Sequence, residues 1–245
     1  MRQNAIEKMQ TQGERMFGYA LNERDYREPW RIFRIMAEFV EGYQFLSELK
    51  NEISILGSAR FHQDHRYYKD ARSLGHALAE EGRTIITGGG PGIMEAANRG
   101  AHESGKGVSV GLNIQLPFEQ ILNPYVNKSI SFNYFFTRKV MLTSPANAYV
   151  YFPGGFGTLD ELFEVLDFID LGFITPMPII LFDRNFWQPI VSYLEEHNIA
   201  GHSGRVKLTM VNSVEEAMAV LRDVSDRGDV CALALHFFHL LVEFC

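Results

Sequence analysis

Residues 148–169 constrain the fold of this chain more than any other stretch. Ala148-Tyr149-Val150-Tyr151-Phe152 is a short apolar run with the length of a buried strand, and Leu162, Phe163, Val165, Leu166 and Ile169 recur at the spacing of a helix packed on a sheet. Between them stands Pro153-Gly154-Gly155-Phe156-Gly157-Thr158-Leu159-Asp160-Glu161. The nonamer is therefore a strand-to-helix turn. Its three glycines let the backbone pass close to a ligand, and the free amides of the helix's first turn, at the positive end of the macrodipole, suit an anion such as phosphate. Glu161 falls about one turn inside that helix, where its carboxylate would project toward the anion. A loop that only binds gains nothing from a second negative charge, so the placement suggests chemistry beside a phosphate.

The same unit recurs along the chain. Glu52-Ile53-Ser54-Ile55-Leu56 reads as a core strand ending in Gly57-Ser58-Ala59-Arg60, and a helix from about Arg66 to Glu81 is closed by Gly82. Thr84-Ile85-Ile86-Thr87 then makes a strand that runs into Gly88-Gly89-Gly90-Pro91-Gly92, and further strands are predicted at 108–110, 148–152 and 178–181. Strands alternating with helices build parallel βαβ units, so the expected fold is α/β, a Rossmann-like doubly wound parallel sheet flanked by helices in a single domain. Ligands in such sheets bind beyond the carboxyl ends of the strands, which puts Ser58, Arg60, the 88–92 turn and the 153–158 turn on one edge.

A chain of 245 residues with 46% hydrophobic content can bury one sizeable core, and no Pro/Ser-rich or like-charged run divides it. The expected division is a helical amino-terminal extension over 1–50, the nucleotide-binding catalytic domain over 51–224 and a helical tail over 225–245. A net charge of −7 leaves no basic stripe to neutralise a nucleic-acid backbone, so no nucleic-acid partner is expected. Two cysteines, Cys231 and Cys245, make no disulfide framework, and the polar amino terminus has no apolar signal core, which fits the cytoplasm. The apolar run 230–242, broken by His236 and His239, is too short to span a bilayer, so a terminal helix and no membrane partner are expected. From Pro29, the residues Trp30, Phe33, Met36, Ala37, Val40 and Tyr43 mark one face of an amphipathic helix. That face is expected to pack on the sheet or on a second copy of the chain.

Other motifs do not hold up. Reading 88–92 as a dinucleotide fingerprint leaves Ile93 where the third glycine belongs, and Gly100 to Lys106 resembles a Walker A but has Gly107 in place of Ser/Thr and reads as a loop. Asp160, Glu164 and Asp167 share a helix stripe that is expected to be a solvated face. His236, His239 and Glu243 lack a fourth metal ligand, and His62-x-x-His65 lies in a loop. No metal and no cofactor are expected. Arg138 and Lys139, near the start of another helix, read from spacing alone as surface cations.

Pro-Gly-Gly-x-Gly-Thr-x-x-Glu at 153–161, preceded by Arg138-Lys139 and by Gly88-Gly89-Gly90-Pro91-Gly92-Ile93-Met94-Glu95, resembles the LOG (Lonely Guy) family of nucleoside 5'-monophosphate phosphoribohydrolases, often labelled lysine decarboxylase-like. The similarity runs from about Ile53 to Trp187, with three motifs in the family's order, and residues 24–49 look like the extension of longer bacterial members. The resemblance implies hydrolysis of the N-glycosidic bond of a nucleoside monophosphate of AMP or cytokinin riboside type, with Glu161 and Arg138 as the catalytic pair. Gly154, Gly155, Gly157 and Thr158 would grip the phosphate, with Gly89, Gly90, Lys139 and Ser58 lining the substrate. Glu95 would accept ribose hydroxyls or serve only as a helix-dipole partner. Arg138 would keep Glu161 ionised by lowering its pKa. A homodimer or larger homo-oligomer is the implied assembly. Asp170-Leu171-Gly172-Phe173 departs from the family's Gln-Thr-Gly-Lys-like segment, a change expected at a pocket edge or subunit contact. The alternative to a hydrolase is a sensor or carrier that keeps the pocket and binds a nucleotide without turnover.

Overall fold

The computed structural model describes residues 29–115, 122–144, 146–197, 204–222 and 224. The predicted terminal helix at 230–242 and the residues before Pro29 lie outside that range. In chain order the elements are α1 (Pro29–Ser47), β1 (Glu52–Leu56), α2 (Arg66–Glu80), β2 (Thr84–Thr87), α3 (Ile93–Ser104), β3 (Val108–Ile114), β4 (Lys128–Phe132), α4 (Phe135–Thr143), β5 (Ala148–Tyr151), α5 (Phe156–Leu171), β6 (Ile179–Phe182), α6 (Arg184–Glu196), β7 (Leu208–Val211) and α7 (Val214–Leu221). The seven strands form one sheet in the order β4-β3-β2-β1-β5-β6-β7. Every pairing is parallel.

The predicted α/β sheet is therefore the observed one, and its strand order reverses at β1, where β2 and β5 flank it. Strand alternation divides the core in two. Ile53, Ile55, Ala148, Val150, Phe152, Ile180 and Phe182 point to one face, packed by α2, α3 and α7. Leu56, Tyr149, Tyr151, Ile179 and Leu181 point to the other, packed by α1, α4, α5 and α6. Both faces being covered explains why β1, β2, β5 and β6 are buried along their whole length. β4 and β7 are edge strands, largely exposed or half-buried, and so lack the unbroken apolar run that marks the central ones.

Two local expectations change. The segment from Gly100 that reads as a loop continues α3 to Ser104, and Gly105 in the left-handed region ends the helix. α1 forms from Pro29 as expected, but its predicted aromatic stripe does not pack on the sheet: Trp30, Phe33, Met36 and Val40 are exposed, as is Ile32. The packed side of α1 consists of Glu38, Phe39, Gly42, Tyr43 and Leu46. That side includes a buried glutamate, whose partners lie at the amino terminus of α4.

Candidate active site at the carboxyl edge of the sheet

Three loops are tied together beyond the strands. The Ser58 amide donates to Pro153 O at 3.2 Å, and the Ile93 amide donates to Ser58 O at 3.0 Å, so the turns after β1, β2 and β5 meet at one edge. α5 starts from Gly155 with no side-chain cap. Its first intrahelical bond runs from Leu159 N to Gly155 O at 3.0 Å, which leaves the amides of Phe156, Gly157 and Thr158 without an acceptor inside the helix. Gly155, Phe156 and Gly157 are exposed, and among the described residues nothing beyond the local chain lies within 4 Å of where a Cβ on Gly155 or Gly157 would stand. The tip is open to a ligand. Thr158 is buried and packs against Gly154, where a methyl group would collide with its side chain, so residue 154 must be glycine for the turn to close.

Behind the tip, Arg138 of α4 reaches Glu161 of α5. The guanidinium donates through Nε to Leu112 O at 3.0 Å and through Nη1 to Glu161 Oε1 at 3.3 Å. It passes so close to Gly88 that any side chain at 88 would strike it. Arg138 is 8% exposed, and the Glu161 side chain 15%. Spacing made Arg138 a surface cation, whereas the fold buries it against Glu161. The expected lowering of the Glu161 pKa is reversed. Burial pushes the Glu161 carboxyl up to about 7; Arg138 and Lys139 pull it down, Asp160 and Glu164 push it up, and desolvation wins.

Lys139 takes a different direction. It donates to Asp160 at 2.8 Å and lies 3.5 Å from Glu164, and although burial opposes its charge, these acids hold its ammonium above the usual lysine range. Two residues of the stripe predicted to be solvated thus clamp Lys139, yet Asp160 stays exposed, as does Asp167, and only Glu164 is partly buried.

Glu95 sits on the opposite face. It accepts from Tyr68 Oη at 2.7 Å and Gln63 Nε2 at 3.4 Å, within a cleft of about 400 Å³ lined also by Ala59, Arg60, Phe61, His62, Pro91 and Gly92. Ser58 joins the two sides, since its backbone binds the 153 and 93 turns while its hydroxyl accepts from the Arg60 amide at 3.2 Å. Gly89 and Gly90 are fixed by a residue that sequence reading missed. Asn123 Nδ2 donates to Gly89 O, Gly90 O and Asn98 Oδ1 at 3.0–3.2 Å. Asn98 in turn binds Thr87, Ser109 and Val110. Carbonyls held by Asn123 are not turned toward an anion. The signal for this network was two asparagines in otherwise apolar surroundings, and only the fold brings them together.

Glu38 was missed as well. Its carboxylate accepts from Asn133 N at 2.7 Å, Asn133 Nδ2 at 2.9 Å and Thr137 Oγ1 at 2.6 Å, directly before Arg138. The departure at Leu171-Gly172-Phe173 closes α5 at its far end, with Gly172 in the left-handed region. A helix of 16 residues is about 24 Å long, so these residues do not border the tip of their own chain.

Residues 94–224, more than half of the chain, match the family model described as "Possible lysine decarboxylase". Cytokinin riboside 5'-monophosphate phosphoribohydrolase LOG of Oryza sativa subsp. japonica is 30% identical over 131 residues, covering 52% of this chain and 54% of that protein. An Arabidopsis thaliana protein named cytokinin riboside 5'-monophosphate phosphoribohydrolase is 27% identical over 131 residues, 53% of this chain and 62% of the relative. The chain thus spans less than two thirds of the length of these plant relatives. The protein of that name from Rhodococcoides fascians is 27% identical over 164 residues, 64% of this chain and 82% of its own. Among solved structures, the molybdenum cofactor carrier protein from Chlamydomonas reinhardtii superposes with a TM-score of 0.53 at 21% identity over 71% of this chain and 98% of that one. The molybdenum cofactor binding protein from Rippkaea orientalis gives a TM-score of 0.52 at 22% identity over 71% and 94%. At that identity the likeness is one of fold.

Proposed function

The chain belongs to the LOG family, whose model carries the description possible lysine decarboxylase, and from that premise we propose that it hydrolyses the N-glycosidic bond of a nucleoside 5'-monophosphate, of AMP or cytokinin riboside type, to the free base and ribose 5-phosphate. The observation that supports this most is a desolvated carboxylate one turn behind an open helix tip: Glu161, its side chain 15% exposed and its pKa pushed up by burial to about 7. In this reading the 5'-phosphate binds the amides at 156–158, and that anchor fixes the sugar. Breaking the bond leaves positive charge at the anomeric carbon, for which a poorly solvated carboxylate is the strongest partner. The base departs with the electron pair of the bond and takes up a proton. Ionised Glu161 stabilises the cation and accepts a proton from the water that adds to it. Arg138 keeps its charge throughout and offsets the negative charge that the phosphate brings. Because the ionised acid does the work, the rate should rise with pH through about 7 and level off above it.

The decarboxylase in the family's description finds no support beside the turn. Lys139 is held charged by Asp160 and Glu164, the reverse of what a lysine that forms Schiff bases needs. A carrier without turnover is the second reading, favoured by the fold neighbours titled as molybdenum cofactor carrier proteins. Incubation with AMP, GMP, CMP and a cytokinin riboside monophosphate, with chromatography of the free base, separates the two. Release by the wild type that Glu161→Gln loses supports the hydrolase; tight nucleotide binding with no release by wild type and Glu161→Ala alike supports the carrier. Self-association belongs to the same proposal. Exposed Trp30, Phe33, Met36 and Val40 on α1, with Phe136 on α4, favour a homodimer, which sedimentation would report as twice the chain mass.

A further inference from the structure

We propose that Glu38 is a positioning residue for this site: its buried carboxylate closes the amino terminus of α4 and thereby sets where Arg138 meets Glu161. Only the kinetic consequence rests on the phosphoribohydrolase reading. α4 begins after Tyr134, whose side chain supplies no cap, so its leading amides need an acceptor from elsewhere. Glu38 holds the two residues that lead into the helix by their amides and the first turn by the Thr137 hydroxyl. Oε1 takes the Asn133 amide at 2.7 Å and Asn133 Nδ2 at 2.9 Å, and Oε2 takes the Thr137 hydroxyl at 2.6 Å and the Tyr134 amide at 3.4 Å. The carboxylate also faces the positive end of the α4 dipole.

At 7% exposure, Glu38 is a residue type that folding seldom buries without several partners. α1 turns this acid inward while leaving Trp30, Phe33 and Val40 exposed, so the polar contact to α4 helps to place a helix whose apolar packing comes from Phe39, Tyr43 and Leu46. Thr137 and Arg138 are consecutive on that helix. A rotation or slip of α4 that releases Thr137 therefore moves Arg138 too. The Arg138–Glu161 contact has little reserve, being a single hydrogen bond of 3.3 Å, so a displacement of about 1 Å removes it.

Glu161 itself reports the outcome, since Arg138 and Lys139 lower its pKa while burial, Asp160 and Glu164 raise it. The full chain carrying ¹³C-labelled glutamate is titrated by NMR, with the Glu161 signal assigned by its loss in Glu161→Gln. Glu38→Gln should move the Glu161 midpoint upward from about 7 and lower kcat about tenfold with KM within about threefold. Glu41→Gln, the same charge change at an exposed position of α1, should move neither. On an Arg138→Met background Glu38→Gln should add nothing, whereas a role confined to stability would act equally with and without Arg138. Should Glu38→Gln fail to fold, Thr137→Val removes one donor and leaves the acid, with a smaller upward shift expected. A wild type that releases no base defeats the hydrolase reading but leaves the titration decisive. An unmoved Glu161 midpoint in the folded Glu38→Gln protein, or in Thr137→Val where Glu38→Gln does not fold, overturns the proposal, and so does an equal shift on the Arg138→Met background.

Discussion

Two glutamates follow the two glycine turns at the carboxyl edge, each in the early part of a helix, and the fold treats them differently. Glu95, on the face of α2 and α3, is met by the Tyr68 hydroxyl at 2.7 Å and by Gln63. Glu161, on the face of α4 and α5, has one long bond to Arg138, and burial keeps its carboxyl near a pKa of 7. Equal placement in the sequence thus hides unequal solvation. An acid whose neighbours satisfy it is a structural anchor; one that is desolvated and barely satisfied can take up positive charge as it forms.

The largest effect expected from this contrast is on turnover. Glu161→Gln should lower base release by about 10³-fold with nucleotide affinity retained within a few-fold, whereas Glu95→Gln should cost less than about tenfold. Equal losses in a steady-state assay of base release would erase the distinction between the faces. Next comes Gly88→Ala. A methyl group at 88 would strike the Arg138 guanidinium and lie 2.9 Å from Met94 Sδ, so the arginine must leave its place against Glu161. A loss of about 10²-fold in base release, with the circular dichroism of the wild type, is expected.

These residues were not equally legible. The central strands, the glycine turn that opens α5 and the meeting of three turns at one edge follow from apolar runs and glycines that act locally, and the structure agrees with them. Arg138 was a surface cation by spacing, because what buries it is Gly88 and Leu112, far away in sequence. Glu38 gave no local signal and Asn123 only a faint one, since their partners lie on other elements and polar residues on a helix or in a loop ordinarily face water. The α1 stripe marked the helix correctly but not the side that packs within the chain, which carries Glu38 with Phe39, Tyr43 and Leu46.

The contrast also appears in stability. Glu161 has an ordinary pKa of 4.5 when unfolded and about 7 in the fold, so between these values the native state binds more protons. Its contribution to stability therefore falls as pH rises from about 4.5 to about 7 and stays low above that. Glu161→Gln removes this cost. Chemical denaturation should find the variant about 1–3 kcal/mol more stable than wild type at pH 8, with the gain vanishing near pH 4. A gain independent of pH would mean that the acid is not desolvated.

The smallest effect expected is on the other face. Tyr68→Phe deletes the hydroxyl that donates to Glu95 without changing the ring that packs in the core. Burial, and then the hydrogen bond to Glu95, push the tyrosine pKa up to about 12, so the hydroxyl remains a donor at pH 6 and at pH 9. The loss of that bond should cost about 1 kcal/mol in chemical denaturation, the same at pH 6 and pH 9, and should leave base release within about threefold. Its flat pH dependence, set beside the sloping one of Glu161→Gln, would show that the two carboxylates differ in solvation and not only in position. A slope in both would mean that the two faces share one titrating network through the 88–92 turn.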